Sequence, residues 1–174
     1  MTGRYVITGG PSSGKTTLIE EFRSRGHKVL EEIARIVISK RQGYEATNEE
    51  WDIRQRMILE RQLKQEKTLG DELTFLDRGI IDNYAYFMLR NNKIPEDTSF
   101  PKCDYSQIFV LDRLPLVYDG LRTETEEEAE RVHRMLINAY KKFGYAPVHV
   151  PVMSVDRRVD FILKNIQKLK GGKK

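Results

Sequence analysis

Gly9-Gly10-Pro11-Ser12-Ser13-Gly14-Lys15-Thr16 fits the pattern G-x-x-x-x-G-K-[ST] without departure, and its flanks decide what the match means. Glycines in such a loop let successive backbone N–H groups turn inward on one anion. A lysine at this place reaches the β- and γ-phosphates of a nucleotide, and the hydroxyl after it ligates Mg²⁺. Upstream, Arg4-Tyr5-Val6-Ile7-Thr8 reads as a short buried strand. Downstream, Thr17-Leu18-Ile19-Glu20-Glu21-Phe22-Arg23 reads as a helix whose N-terminus faces the phosphates. Strand, loop and helix together predict a triphosphate cradle over Gly9–Thr17, with every residue of that run in the binding site and Thr16 on the metal.

Outward from the loop, the chain alternates strands and helices. Lys28–Glu31 is a second strand, followed by a helix over 32–39 and a polar loop over 40–46. Thr47-Asn48-Glu49-Glu50 has the form of a capping box and opens a helix running to about Thr68. Its apolar face is carried by Trp51, Met57, Ile58, Leu59 and Leu63, with Trp51 read as a packing residue rather than a base-stacking one. Leu73–Asp77 is a third strand, with a helix over about Ile81–Asn91 after it. Ser106–Asp112 is a fourth strand. Thr123 or Thr125 caps an acidic-headed helix through Tyr140, Ala146–Val152 is a proline-flanked edge strand, and Ser154 caps the last helix. This order predicts an α/β fold, doubly wound around a parallel sheet, with ligands at the carboxyl ends of the strands.

Composition narrows the classes. The 174 residues suit one domain, taken as 1–170 with a basic tail at 171–174. The net charge of +4 suits an anionic ligand but is too small to argue for nucleic acid. Cys103 is the single cysteine, so no intramolecular disulfide or cysteine zinc cluster forms. No apolar run approaches the roughly 18 residues that span a bilayer, and a cytoplasmic protein without membrane insertion is expected. His27, His133 and His149 lack ligand spacing and are read as solvated or hydrogen-bonded.

The strand ends supply the chemistry. Asp77, closing an apolar strand, is a candidate Mg²⁺ ligand together with Thr16, and Arg78 beside it a candidate grip on phosphate or acceptor. Glu31 and Glu32 are candidates for the base that orients and deprotonates an acceptor; alternating strand geometry turns only one to the site, and Glu32 is preferred. Arg35, about one helical turn on, would hold a substrate anion. Arg113 and Arg122 flank a segment, about 113–127, with the character of a lid that brings cations over a γ-phosphate.

Taken in series, Gly9–Glu20, Glu32-Ile33-Ala34-Arg35, Leu76-Asp77-Arg78-Gly79, Asp119-Gly120-Leu121-Arg122 and Val150–Val159 resemble the small AAA-like ATPases grouped with the kinase domain of NadR, the ribosylnicotinamide kinase. They are also similar to the wider P-loop nucleoside and nucleotide kinases. The resemblance implies a three-layer P-loop NTPase fold with a five-stranded parallel sheet in order 2-3-1-4-5, and Mg-ATP or Mg-GTP as ligand. It also implies that Pro151–Val155, Val155 included, lies near the base, that 119–122 belongs to the lid, and that Glu32 acts on the acceptor. No adenylyltransferase domain of the kind bifunctional NadR proteins carry is read in these residues. The expected activity is phosphoryl transfer, with Lys15, Glu32, Asp77, Arg113 and Arg122 as its catalytic set and a small nucleoside-like metabolite as acceptor. A nucleotide-operated switch without such an acceptor is the alternative.

Overall fold

The computed structural model describes residues 3–33, 47–115 and 125–171. Five parallel strands, β1 (Arg4–Thr8), β2 (Lys28–Leu30), β3 (Thr74–Asp77), β4 (Gln107–Leu111) and β5 (Val148–Val150), form one sheet in the order β2-β3-β1-β4-β5. The expected order and direction are therefore found. Between the strands run α1 (Lys15–Ser24), α2 (Asn48–Lys67), α3 (Ile80–Asn91), α4 (Glu126–Lys142) and α5 (Val155–Gly171).

Period-two alternation divides the core. Tyr5 and Ile7 of β1, with Phe109 and Leu111 of β4, face α1 and α5, where Leu18, Phe22, Val159 and Ile162 are buried. Val6, Ile108 and Val110 point the other way, onto Ile81 and Ala85 of α3 and Leu136 and Tyr140 of α4. Phe22 stacks on Phe75 with ring centroids 3.8 Å apart, tying α1 to the sheet. β5 pairs with β4 alone, and Pro147 and Pro151 lie just outside it, so neither removes a ladder N–H. That explains why the strand is shorter than the apolar run containing it.

Caps follow the sequence closely. Thr47 with Glu50 and Thr125 with Glu128 form complete capping boxes, so Thr125 and not Thr123 opens α4. α1 differs: Gly14 at its N-cap offers no side-chain acceptor, which leaves the first-turn N–H groups to an anion.

α2 departs from expectation. Its buried stripe is Gln55, Ile58, Leu59, Gln62 and Glu66, while Met57 is 43% exposed. Three of those five are polar: Gln55 and Gln62 line a cavity against α3, and Glu66 is held by Gln62 and Tyr105. From residue 34 onward, the expected helix over 32–39, the loop over 40–46 and Arg35 lie outside the described residues. So do Arg122, most of segment 113–127, and residues 172–174 of the basic tail. No described helix is long and apolar enough to cross a membrane.

Candidate active site

The loop is built from backbone turned to unusual angles: φ is +147° at Gly9, +57° at Ser12 and +80° at Gly14. Lys15 folds back over it, its Nζ donating to Gly9 O at 2.5 Å, Gly10 O at 3.0 Å and Ser13 Oγ at 3.2 Å. Burial, and then the charge of Arg78, lower the Lys15 pKa to about 8 against the pull of Asp77, Glu32 and Asp82. These five side chains therefore share one electrostatic environment, Asp82 reaching it from the first turn of α3.

The two glutamates part company. Glu31 is 67% exposed at its side chain and pairs with Arg23 on the surface of α1 at 2.6 Å. Glu32 is 11% exposed and pairs with Arg78 Nε at 2.7 Å. Arg78 stands at φ +70°, which swings its side chain inward, over the Tyr86 ring at 5.1 Å from the centroid and against the Tyr86 hydroxyl. Burial opposes its charge but is outweighed by Tyr86, Glu32 and Asp82. Gly79 follows because nothing larger fits: a Cβ there would lie 2.8 Å from Tyr105 Oη and 3.0 Å from Tyr140 Oη.

Two clefts meet at this point. One, beside the loop, is lined by Thr16, Glu31, Glu32 and Asp77. The other, of about 540 Å³ including its open mouth, runs between α2 and α3 and has walls of Ile33, Trp51, Ile58 and Tyr86, with Gln55 and Asn83 among them. Glu32 and Asp77 belong to both. Gln55 and Asn83 on this wall are each 5% exposed, and the Trp51 Nε1 is buried without a hydrogen-bond partner among the described residues. Arg90 lies over the Trp51 ring, 5.6 Å from its centroid. Trp51 is thus a cavity wall and not only the packing residue its sequence suggested.

Thr16 and Asp77 offer a hydroxyl and a carboxylate on one cleft, an all-oxygen set suited to a hard cation. Among the described residues no cluster of three His, Cys, Asp or Glu side chains could hold a metal by itself. Mg²⁺ takes one or two protein oxygens and completes its shell with phosphate and water.

Several residues outside the expected set shape the loop from behind. Arg158 of α5, 3% exposed, donates to Ser13 O at 2.5 Å, Asp112 O at 3.0 Å and Pro151 O at 3.1 Å. Leu114 N donates to Ser12 O at 2.8 Å. Beneath the site, the buried Asp82 carboxylate accepts from Thr8 Oγ1 at 2.6 Å, Gly79 N at 3.0 Å and the Tyr140 hydroxyl, locking β1 to the start of α3. Arg113 is not poised over the cleft as a lid arginine would be. It is 8% exposed at its side chain, 2.7 Å from Glu126 and 3.2 Å from Glu130, with its Nε toward Pro11 O at 3.4 Å. Val155 begins α5 immediately after the Pro151 turn that Arg158 holds. We expect Arg158→Met to cost about 3 kcal/mol or more, because three carbonyls lose a charged donor. A fall in the urea midpoint with an unchanged slope would register it.

The model of the family described as AAA domain matches residues 4–158. No curated protein matches the sequence. Among solved structures, deoxyadenosine kinase from M. mycoides, solved with dCMP and dCDP, is similar with a TM-score of 0.69 at 15% identity, over 95% of this chain and 99% of that one. Thymidylate kinase from Candida albicans has a TM-score of 0.65 at 14% identity, over 97% of this chain and 92% of that one. A NadR protein solved with NAD and AMP-PNP has a TM-score of 0.66 at 18% identity, over 98% of this chain and 50% of the NadR chain. At these identities the likeness is one of fold.

Proposed function

The chain belongs to the AAA domain family, and on that premise we propose that it is a Mg²⁺-dependent phosphotransferase moving the γ-phosphate of ATP or GTP to a small nucleoside-like acceptor. The observation that carries this reading is Glu32, a carboxylate shared by the loop-side cleft and the cavity between α2 and α3. A hydrolase needs only the first cleft; a transferase needs both, with a base where they join.

In this reading Gly9–Thr17 hold the triphosphate and the turn ending at Val155 borders its base. Thr16 and Asp77 would hold Mg²⁺, which neutralises phosphate charge. The acceptor occupies the second cavity, its ring against Trp51 and Tyr86 and its polar edge toward Gln55 and Asn83. Arg78 and Arg35 hold its anionic or hydroxyl groups. Glu32 takes the proton of the attacking hydroxyl as its oxygen bonds to the γ-phosphorus and the bond to the β-phosphate oxygen breaks. Lys15, with Arg122 of the lid, offsets the charge of the transferring group, and Arg113 joins them only on leaving Glu126 and Glu130. Residues 1–170 act as one domain and 113–127 as its lid. A reducing, cytoplasmic setting suits the chain, whose single cysteine allows no intramolecular disulfide.

The neighbours in fold support this reading, as their names are those of kinases acting on nucleosides and nucleotides. One observation favours the switch instead: Arg113 is latched to two glutamates of α4, a contact that nucleotide binding could exchange. Thermal shift separates the two. A saturating acceptor added to a non-hydrolysable triphosphate should raise the melting temperature beyond either ligand alone, by the equivalent of about 2.7 kcal/mol at a hundredfold excess over Kd. If triphosphate stabilises the protein and no nucleoside-like compound adds to it, the switch is the better account.

A further inference from the structure

α4 lies directly against the phosphate loop at one point. The Gly10 N–H donates to Nδ1 of His133 at 3.3 Å, and both groups are buried. A Cβ at position 10 would stand 2.9 Å from the His133 Cβ and 3.0 Å from Ala129 O, so glycine is required for this approach. Nδ1 can accept a hydrogen bond only while the ring is neutral, with its proton on Nε2. Protonation would set an N–H against the Gly10 N–H, and one of the two would have to move.

The groups facing the ring come from three elements. Glu130 lies one turn away on α4, Asp112 and Arg113 follow β4, and His149 stands on β5. Burial, aided by His149 and Arg113, lowers the His133 pKa from its ordinary value against the pull of Glu130 and Asp112. The residue after Gly10 is Pro11, whose carbonyl takes the Arg113 Nε, so the same turn of the loop is held on both sides of the Gly10–Pro11 bond.

We propose that His133 is a positioning residue for the phosphate loop: as a neutral imidazole it fixes Gly10, and its protonation releases the loop and weakens triphosphate binding. The proposal rests on reading Gly9–Thr16 as the triphosphate cradle. The loop's N–H groups bind an anion well only when they are held aligned in advance, so losing one anchor costs affinity without removing any phosphate contact.

The test compares wild type, His133→Asn and His133→Leu. ATP affinity is measured without metal from about pH 8 down to about pH 5.5, a range that brackets histidine titration. The Asn Oδ1 stands near the place of Nδ1 and accepts at every pH. Titration of the triphosphate itself affects all three proteins alike, so the ratios between them are read. Wild type and His133→Asn should agree at pH 8 and diverge on acidification, with wild type losing up to about tenfold more affinity. His133→Leu should bind about five- to tenfold more weakly throughout. Parallel acid loss in wild type and His133→Asn, or full affinity in His133→Leu at pH 8, would overturn the proposal.

A second readout needs no ligand. The Gly10 amide signal in ¹H–¹⁵N spectra should titrate with a midpoint below the ordinary histidine value in wild type and stay fixed in His133→Asn; a Gly10 signal indifferent to pH in wild type would overturn the proposal too. If that signal titrates but ATP binds at no pH, the cradle reading fails, and the affinity effect with it.

Discussion

The Lys15→Ala protein is expected to lose about ten- to a hundredfold in triphosphate affinity and about a hundred- to a thousandfold in turnover. Lys15 Nζ rests on two loop carbonyls and the Ser13 hydroxyl, all weak stand-ins for phosphate oxygens. A triphosphate gives it charged acceptors instead, so the lysine contributes more with ligand than without. Its titration makes the claim specific. Burial first, and then Arg78, bring its pKa to about 8, below the ordinary 10.5. Between those values the unfolded chain binds more protons than the folded one, so the unliganded protein should gain stability as pH rises through that window. Phosphate charge raises the lysine pKa again. Binding above about pH 8 therefore takes up a proton, and affinity should fall as pH climbs further. Both trends should be absent from Lys15→Ala. Calorimetry in buffers of different ionisation enthalpy would count the protons, and an unchanged proton uptake in the variant would show that another group is responsible.

Glu32→Gln is expected to separate binding from chemistry. The amide keeps the shape of the carboxylate but cannot accept the acceptor's proton at neutral pH, and positioned bases of this kind contribute about 10²–10⁴-fold. Triphosphate affinity should stay within a few-fold of wild type, because Glu32 pairs with Arg78 and acts on Lys15 through its charge. Arg78 keeps its place against Tyr86 in the variant, so the cavity wall survives. Single-turnover transfer at saturating triphosphate and acceptor measures the chemical step alone. A variant that transfers phosphate at the wild-type rate would remove Glu32 from the base role.

What the sequence discloses is mostly local. The phosphate loop is contiguous, the strands show apolar runs ending in carboxylates, and the capping boxes at Thr47 and Thr125 are complete within four residues. Convergence of Lys15, Glu32, Asp77 and Arg78 follows from parallel topology, since each sits at the same end of a neighbouring strand. The polar contacts that brace the site are not local. Arg158 reaches a carbonyl 145 positions away, and His133 an amide 123 positions away. In sequence, Arg158 sits in a charged run and looks like any surface arginine. One signal was available: Val155, Arg158, Val159 and Ile162 share a helical face, so the arginine stands on the buried side. Gln55, Gln62 and Glu66 carry the same mark on α2, where a polar stripe at core spacing announces a cavity or a buried network. Glu66 confirms the second, accepting from Gln62 at 2.8 Å and from Tyr105 at 3.0 Å. Arg113 shows the opposite limit. Its type and position suit a lid, but the glutamates that hold it lie 13 and 17 positions on, across the residues between the two elements.

The central claim is that one protein joins a triphosphate cradle to an acceptor cavity through Glu32. The most direct measurement follows the γ-phosphate of labelled ATP and GTP, with Mg²⁺, across a panel of nucleosides and related ribosylated metabolites. The account predicts that at least one acceptor takes the label in an ester bond, with nucleoside diphosphate formed in equal amount. Release of all the label as inorganic phosphate, at a rate no acceptor alters, would contradict it.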